Sequence, residues 1–411
     1  MERIVIVGGG PSGSTLGALI ARAGKKVVMF SPSKRPELIV GESLLPAIIP
    51  ILQKLGVEER IKEFGVFKPG ATVTLSETES VTAFFKNAKG SLPPYAYNVP
   101  RKDFDKVLRE KAVEDGVQVV DGLAKMEFAN GQLRLVGESK EKAESLLGGK
   151  ADFMIDATGR SRYFARLMGL KHQEGKRKDT ALFAHLDNVE LEEAGNIHVD
   201  HLESGWAWRI PLPGRVSLGI VQKEDHLKKH GKTAEEQYDH FIANEPFLSK
   251  VAGKSKRITG VMKYNNYQLE TQQLFGSNWA CIGDSAGFLD PVFSTGTYLA
   301  MKSAVNMSDV ILSDNFESAK NKFSANWHWE LDVWRKIIES WYNGRLFTLY
   351  RAGKKQEKNP VGKLIGPHIE KHLNRIFTGD AISGGAYSRN LHAFLTRYML
   401  MGNNPEGLSV K

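Results

Sequence analysis

Ile4-Val5-Ile6-Val7-Gly8-Gly9-Gly10-Pro11-Ser12-Gly13 comes directly after Met1-Glu2-Arg3. An unbroken run of β-branched apolar residues reads as a strand buried on both faces, and it is too short to span a membrane. Gly8-x-Gly10-x-x-Gly13 then has the spacing of a dinucleotide fingerprint. The first glycine permits a tight turn, the second lets a pyrophosphate approach the backbone, and the third lets helix and strand pack closely. Small and apolar residues up to Ala23 predict a helix, with Pro11 and Ser12 in its first turn. The unpaired N–H groups and dipole at its N-terminus favour a phosphate. Residues 25–30 read as a second strand, which completes a βαβ unit and opens a doubly wound α/β sheet.

Outward from this unit, Pro46 and Pro50 interrupt an apolar stretch, residues 53–64 look helical, and 71–97 show short alternating strands. Residues 103–114 predict an amphipathic helix with Phe104, Val107, Leu108 and Ala112 on one face. Residues 151–157 form another buried-strand pattern, ending in Thr158-Gly159. Between 181 and 267 β-like segments recur with few helix signals. Residues 279–284 return to the buried-strand pattern, and 296–312 read as a long helix. Trp327, Trp329, Trp334, Trp341 and Tyr342 recur at roughly helical spacing, as core and cleft wall. The expected organisation is a discontinuous dinucleotide-binding domain (1–70, 97–170 and 270–315), a β-rich substrate domain (71–96 and 171–269) and a helical C-terminal region (316–411).

Hydrophobic residues make up 41% of the 411 residues and charged residues 25%, a globular composition. Cys281 is the single cysteine, which excludes an internal disulfide and a cysteine metal cage. No metal site is expected, and no signal peptide or membrane span is read. A reducing, cytoplasmic setting fits one unpaired thiol. The net charge is +9, with lysine and arginine spread along the chain rather than gathered among aromatics. That pattern favours a solvated basic surface over nucleic-acid binding, with attraction to an acidic partner as the alternative.

Three further motifs distinguish the dinucleotide. Gly283-Asp284, within Cys281-Ile282-Gly283-Asp284-Ser285-Ala286, resembles the second flavin motif of the FAD-dependent monooxygenase superfamily, in which the aspartate meets the ribityl chain. Asp156-Ala157-Thr158-Gly159-Arg160 resembles the strand end running beside that cofactor, and Arg101-x-x-Phe104-Asp105-x-x-Leu108 resembles the Arg-Phe-Asp helix start. The resemblance implies a glutathione-reductase-like FAD-binding fold of Rossmann type with an inserted β-rich domain. Ser31 departs from the pattern, since an acid usually ends the second strand and binds the adenosine ribose; Glu37 or backbone groups are the substitutes.

Within that superfamily, Trp206-Ala207-Trp208-Arg209-Ile210-Pro211 matches the Trp-x-Trp-x-Ile-Pro signature of the flavin-dependent halogenases. Two indoles two residues apart on a strand share one face, and such a wall separates flavin from substrate. Lys68, in Gly65-Val66-Phe67-Lys68-Pro69-Gly70, comes after Gly41-Glu42-Ser43 at the family's spacing and falls where the family places its catalytic lysine. Glu42 and Ser43 are assigned with the cofactor. Asp290-Pro291-Val292-Phe293-Ser294-Thr295-Gly296 leads into a helix, and the backbone N–H groups of Thr295 and Gly296 would cradle an anion, a halide in this family, with Pro291 and Gly296 beside the flavin. Phe293 stands where tryptophan halogenases have a glutamate, so the chain is more similar to halogenases of phenols and pyrroles.

The resemblance implies that FADH2, delivered by a separate flavin reductase, reacts with O2 to a flavin hydroperoxide. Halide becomes hypohalous acid, which passes Trp206 and Trp208 to Lys68 and then to an electron-rich ring. That ring is free or tethered to an acidic carrier protein. The competing expectations are a flavin monooxygenase that hydroxylates or epoxidises, a double-bond reductase of the same fold, and a catalytically silent flavoprotein in a biosynthetic complex.

Overall fold

The computed structural model describes residues 1–348 apart from positions 35, 77, 176, 266 and 267, and then residues 351, 371–382, 390, 393 and 397. The remainder of the predicted C-terminal helical region lies outside the described residues.

Strand Arg3–Val7 sits at the centre of a five-stranded parallel sheet, as its continuous apolar pattern requires. Lys26–Phe30 and then Gln118–Val120 pair on one side, Phe153–Asp156 and then Trp279–Cys281 on the other. The sheet is therefore assembled from stretches that are far apart in the chain. Helix Pro11–Arg22 succeeds the first strand and packs between helices Arg101–Glu114 and Thr295–Leu312.

A seven-stranded sheet stands beside it, in the order Met262–Asn265, Asp179–Leu186, Arg215–Lys223, Trp206–Leu212, Ile197–His201, Gly70–Ser76, Glu79–Phe84. Residues 70–84 join this sheet through a parallel pairing of Gly70–Ser76 with Ile197–His201. Along Trp206–Leu212 the side chains alternate between two cores. Trp206, Trp208 and Ile210 belong to the large core that runs back to the first strand, and Ala207 belongs to a second core with Leu218, Tyr238 and Phe241.

That second core is roofed by helices Ala234–Asn244 and Pro246–Ala252, where the sequence predicted few helices. Thr233 and Glu236 form a reciprocal capping box at the first of them, a signal present in the sequence. Residues 53–64 are likewise not one helix: Gly56 caps Ile49–Leu55, and Glu58–Lys62 begins anew. The helix Phe316–Tyr342 carries its tryptophans as expected, with Trp327, Trp334 and Trp341 buried, although Trp329 is exposed.

Candidate active site

The site lies where the cofactor-type sheet meets the seven-stranded sheet. At the first strand's end Gly8 adopts φ +108°, and a Cβ there would stand 2.2 Å from the Ala157 carbonyl oxygen. Gly10, the N-cap of Pro11–Arg22, supplies no side-chain capping bond, so the helix's first N–H groups are left for an anion. Gly283 is tied to the long helix by its N–H, which donates to Ser303 Oγ at 2.9 Å. Asp284 beside it is part-buried, and burial pushes its carboxyl up to about 6 against the pull of Arg101 and Arg160.

Arg101 is buried and pairs with Asp105 at 3.0 Å, while its Nη1 donates to the Val40 carbonyl. Asp156, by contrast, is spent locally: its carboxylate accepts from Thr158 N at 2.9 Å, Thr158 Oγ1 at 2.6 Å and Phe164 N at 2.8 Å. Ser31 is fully buried with an Oγ that has no partner among the described residues, and Glu37 is exposed. The pyrophosphate end thus fits a dinucleotide, and a serine occupies the usual place of the ribose-binding acid.

Residues 41–43 connect the cofactor side to Lys68. Gly41 has φ +105°, and a Cβ there would meet Thr297 Oγ1 at 2.6 Å and Arg101 Nη1 at 2.7 Å. Only glycine lets this loop cross the first turn of helix Thr295–Leu312 so closely. Glu42 Oε1 lies 2.8 Å from His185 Nε2. Because Arg215 Nε donates to His185 Nδ1 at 3.1 Å, the imidazole proton is on Nε2 and is donated to Glu42. His185 and Arg215 are not flagged by any sequence motif.

Ser43 ends the loop beside Lys68. The Lys68 Nζ donates to Ser43 Oγ at 2.8 Å and to the Leu44 carbonyl at 2.8 Å, and it lies 5.4 Å from the centre of the Phe85 ring. Lys68 is 1% exposed, and burial pushes its amine down to about 7. Both hydrogen bonds are to neutral oxygens.

Trp206 and Trp208 stand with ring centres 5.8 Å apart and are both buried. Trp208 Nε1 donates to Ser217 Oγ at 3.4 Å, and Trp206 Nε1 donates to Tyr342 Oη at 2.9 Å. The anion loop begins at Asp290, which is fully buried and accepts from Val292 N at 3.0 Å. After Pro291, Val292 and Phe293 the chain turns through Ser294 (φ +57°) into Thr295 and Gly296. Thr295 is fully buried and its Oγ1 is without a partner among the described residues. Phe293 points into an aromatic cluster with Trp334, Trp341 and Phe377, a place that would strip water from a glutamate. The described residues contain no cluster of metal-ligating side chains.

The family model described as tryptophan halogenase matches residues 3–74 and 74–357. The chain belongs to this family. Among its relatives, the flavin-dependent halogenase armH3 of Armillaria mellea is 31% identical over 338 residues, covering 75% of this chain and 66% of the relative. A 1H-pyrrole-2-carbonyl-(peptidyl-carrier protein) chlorinase of Pseudomonas fluorescens is 28% identical over 379 residues, covering 84% and 83% respectively. A solved flavoprotein/dehydrogenase of Cytophaga hutchinsonii shares the fold, with a TM-score of 0.81 at 24% identity over 97% of this chain and 99% of that one. The halogenase resemblance read from the sequence holds, and with it the FAD cofactor, the halide and the oxidoreductase class. Among the described residues no helix is long and apolar enough to cross a membrane.

Proposed function

We propose that this halogenase transfers an electrophilic halogen, by way of Lys68, to an electron-rich phenol or pyrrole ring. The observation that carries this reading is the burial of Lys68, whose nitrogen is held on two neutral oxygens with its basicity pushed down to about 7. A carboxylate partner would instead hold the amine in its charged form. Among the described residues two of the three ammonium protons are used, which leaves the third position on nitrogen for the oxidant.

Gly8, Gly10, Pro11, Ser12 and Gly13 would hold the FAD pyrophosphate, and Arg101, Gly283, Asp284, Pro291 and Gly296 the remainder of the cofactor. When bound and reduced, FAD would supply the two electrons and two protons that, with one further proton, convert O2 and a halide to hypohalous acid and water. Thr295 and Gly296 would seat the halide by their N–H groups at the start of an 18-residue helix. Glu42, fixed by His185, and Ser43 hold the loop between that helix and Lys68. Trp206 and Trp208 exclude water and bar the ring from the flavin. As an ammonium, Lys68 donates a hydrogen bond to the oxygen of hypohalous acid. Halogen then passes to the ring carbon, and the ring proton leaves with the hydroxide as water.

A ring tethered to an acidic carrier protein is the finer substrate reading, supported by the chlorinase relative's name and by the net charge of +9. A separate reductase would supply FADH2. The test is to give the purified protein FAD, a flavin reductase, NADH, oxygen, bromide and an activated phenol, and to read products by mass spectrometry. A bromine isotope doublet is expected. Addition of oxygen without bromine would overturn the reading in favour of a monooxygenase.

A further inference from the structure

Tyr342 is the last residue of the 27-residue helix Phe316–Tyr342, and its hydroxyl stands between two segments that the sequence motifs single out. It accepts from Trp206 Nε1 at 2.9 Å and donates to Asp290 Oδ2 at 2.8 Å. Asp290 uses its other oxygen to hold Val292 N–H at 3.0 Å, which caps the turn Pro291–Phe293. That turn delivers the chain, through left-handed Ser294, to Thr295 and Gly296. Two partners therefore fix the Asp290 carboxylate: one inside the anion loop, and one on an element that begins after the halide helix has ended.

The arrangement has a cost that needs a reason. Asp290 is fully buried, which pushes its carboxyl up to about 7, and its ionised form opposes the approach of an anion to N–H groups only five and six residues along the chain. A hydroxyl donating to that carboxylate draws its charge away from the loop and fixes its direction. Tyr342 is itself held: the Arg177 guanidinium carbon lies 3.6 Å from the centre of its ring, and Arg177 is clamped by Asp179 at 2.7 and 3.2 Å. Arg177, Asp179, Trp206 and Tyr342 all face a cavity of about 400 Å³, so the phenol ring forms part of the cavity wall while its hydroxyl reaches the loop.

We infer that Tyr342 is a positioning residue for the halide: by bonding Asp290 it sets the turn that presents the Thr295 and Gly296 N–H groups. The inference rests on the halogenase reading of this loop. It assigns the C-terminal helix a part in anion affinity, separate from the packing of its tryptophans.

The test uses the FAD-loaded protein and two readouts. Bromide is titrated into the oxidised holoenzyme while the fluorescence of bound flavin is monitored, and KM for bromide is measured apart from KM for the phenol. Tyr342→Phe, which keeps the ring and its stacking on Arg177, is expected to weaken bromide roughly tenfold or more in both readouts, the worth of one hydrogen bond to a charged group. The FAD affinity and the phenol KM are expected to stay the same. Asp290→Asn keeps an oxygen that can accept from the Tyr342 hydroxyl and removes the opposing charge, so it is expected to bind bromide no more weakly than the parent. In the Asp290→Asn background the Tyr342→Phe loss is expected to shrink, because no full charge is left at position 290 for the hydroxyl to draw away. Bromide affinity of Tyr342→Phe equal to the parent's, or a Tyr342→Phe loss of the same size in the Asp290→Asn background, would overturn the inference. A parent enzyme that neither binds bromide nor brominates would instead sink the halogenase reading on which it rests.

Discussion

Lys68 carries its amine in a place where an ammonium is poorly solvated, and that burial has consequences for stability as well as chemistry. In the unfolded chain the group titrates near 10.5, and in the folded protein near 7. Between those values the unfolded state binds a proton that the folded state does not, so stability rises with pH across that window. Below the lower value both states are protonated and the slope vanishes. Lys68→Met removes the titration while filling similar space. The parent protein is therefore expected to gain on the variant by about 1.4 kcal/mol per pH unit between pH 7 and 10.5, and by nothing below pH 7. Thermal unfolding of both proteins across this range checks it, and parallel curves would refute the depressed basicity. The position of Lys68 was legible from its distance to Gly41-Glu42-Ser43, but its contact with Ser43 was not, because sequence spacing does not reveal which side chain a strand turns inward. Tyr342 was less legible still. The residues bonded to its hydroxyl lie 136 and 52 positions away, and in the sequence it is one more aromatic in a helical run.

Elements whose pattern arises from burial on both faces were the easiest to read. Arg3–Val7, Lys26–Phe30 and Phe153–Asp156 each announce themselves as apolar runs, and the glycine fingerprint defines the turn and helix after the first of them. Short outer helices were hidden among strands because their apolar faces are narrow; Ala234–Asn244 is marked by its capping box rather than by periodicity. The turn after the first strand is the element on which the cofactor depends most. Gly8 combines φ +108° with a Cβ position 2.2 Å from backbone oxygen, which no side-chain movement relieves. Gly8→Ala is expected to abolish FAD retention. Flavin absorbance after purification measures this directly, and a variant that keeps a full complement of FAD would contradict the assignment of this turn.

Across the whole molecule one continuous apolar core runs from the first strand through Trp206 and Trp208 to Trp334 and Trp341. The cofactor-type sheet, the Trp-bearing sheet and the C-terminal helix therefore pack as a unit, and the second core with its helices stands on the far face. The surface carries a net charge of +9, which acts at longer range than any contact. If the ring arrives on an acidic carrier, KM for the carrier-bound ring should rise roughly tenfold as salt is raised from low to above physiological strength, because charge steering is screened. KM for a small neutral phenol should hardly move. Equal salt dependence for the two substrates would remove the carrier reading and leave halogenation of a free ring.

Whether Lys68 directs halogen transfer by donating to hypohalous acid is decided by comparing the parent and Lys68→Ala under the same supply of FADH2, oxygen and bromide. FAD content, NADH consumption and brominated product are measured together. The variant is expected to retain FAD and consume NADH but to lose bromination by roughly 100-fold or more, within the range expected for removing a positioned proton donor. Bromination at the parent's rate by a variant lacking the amine would contradict that role.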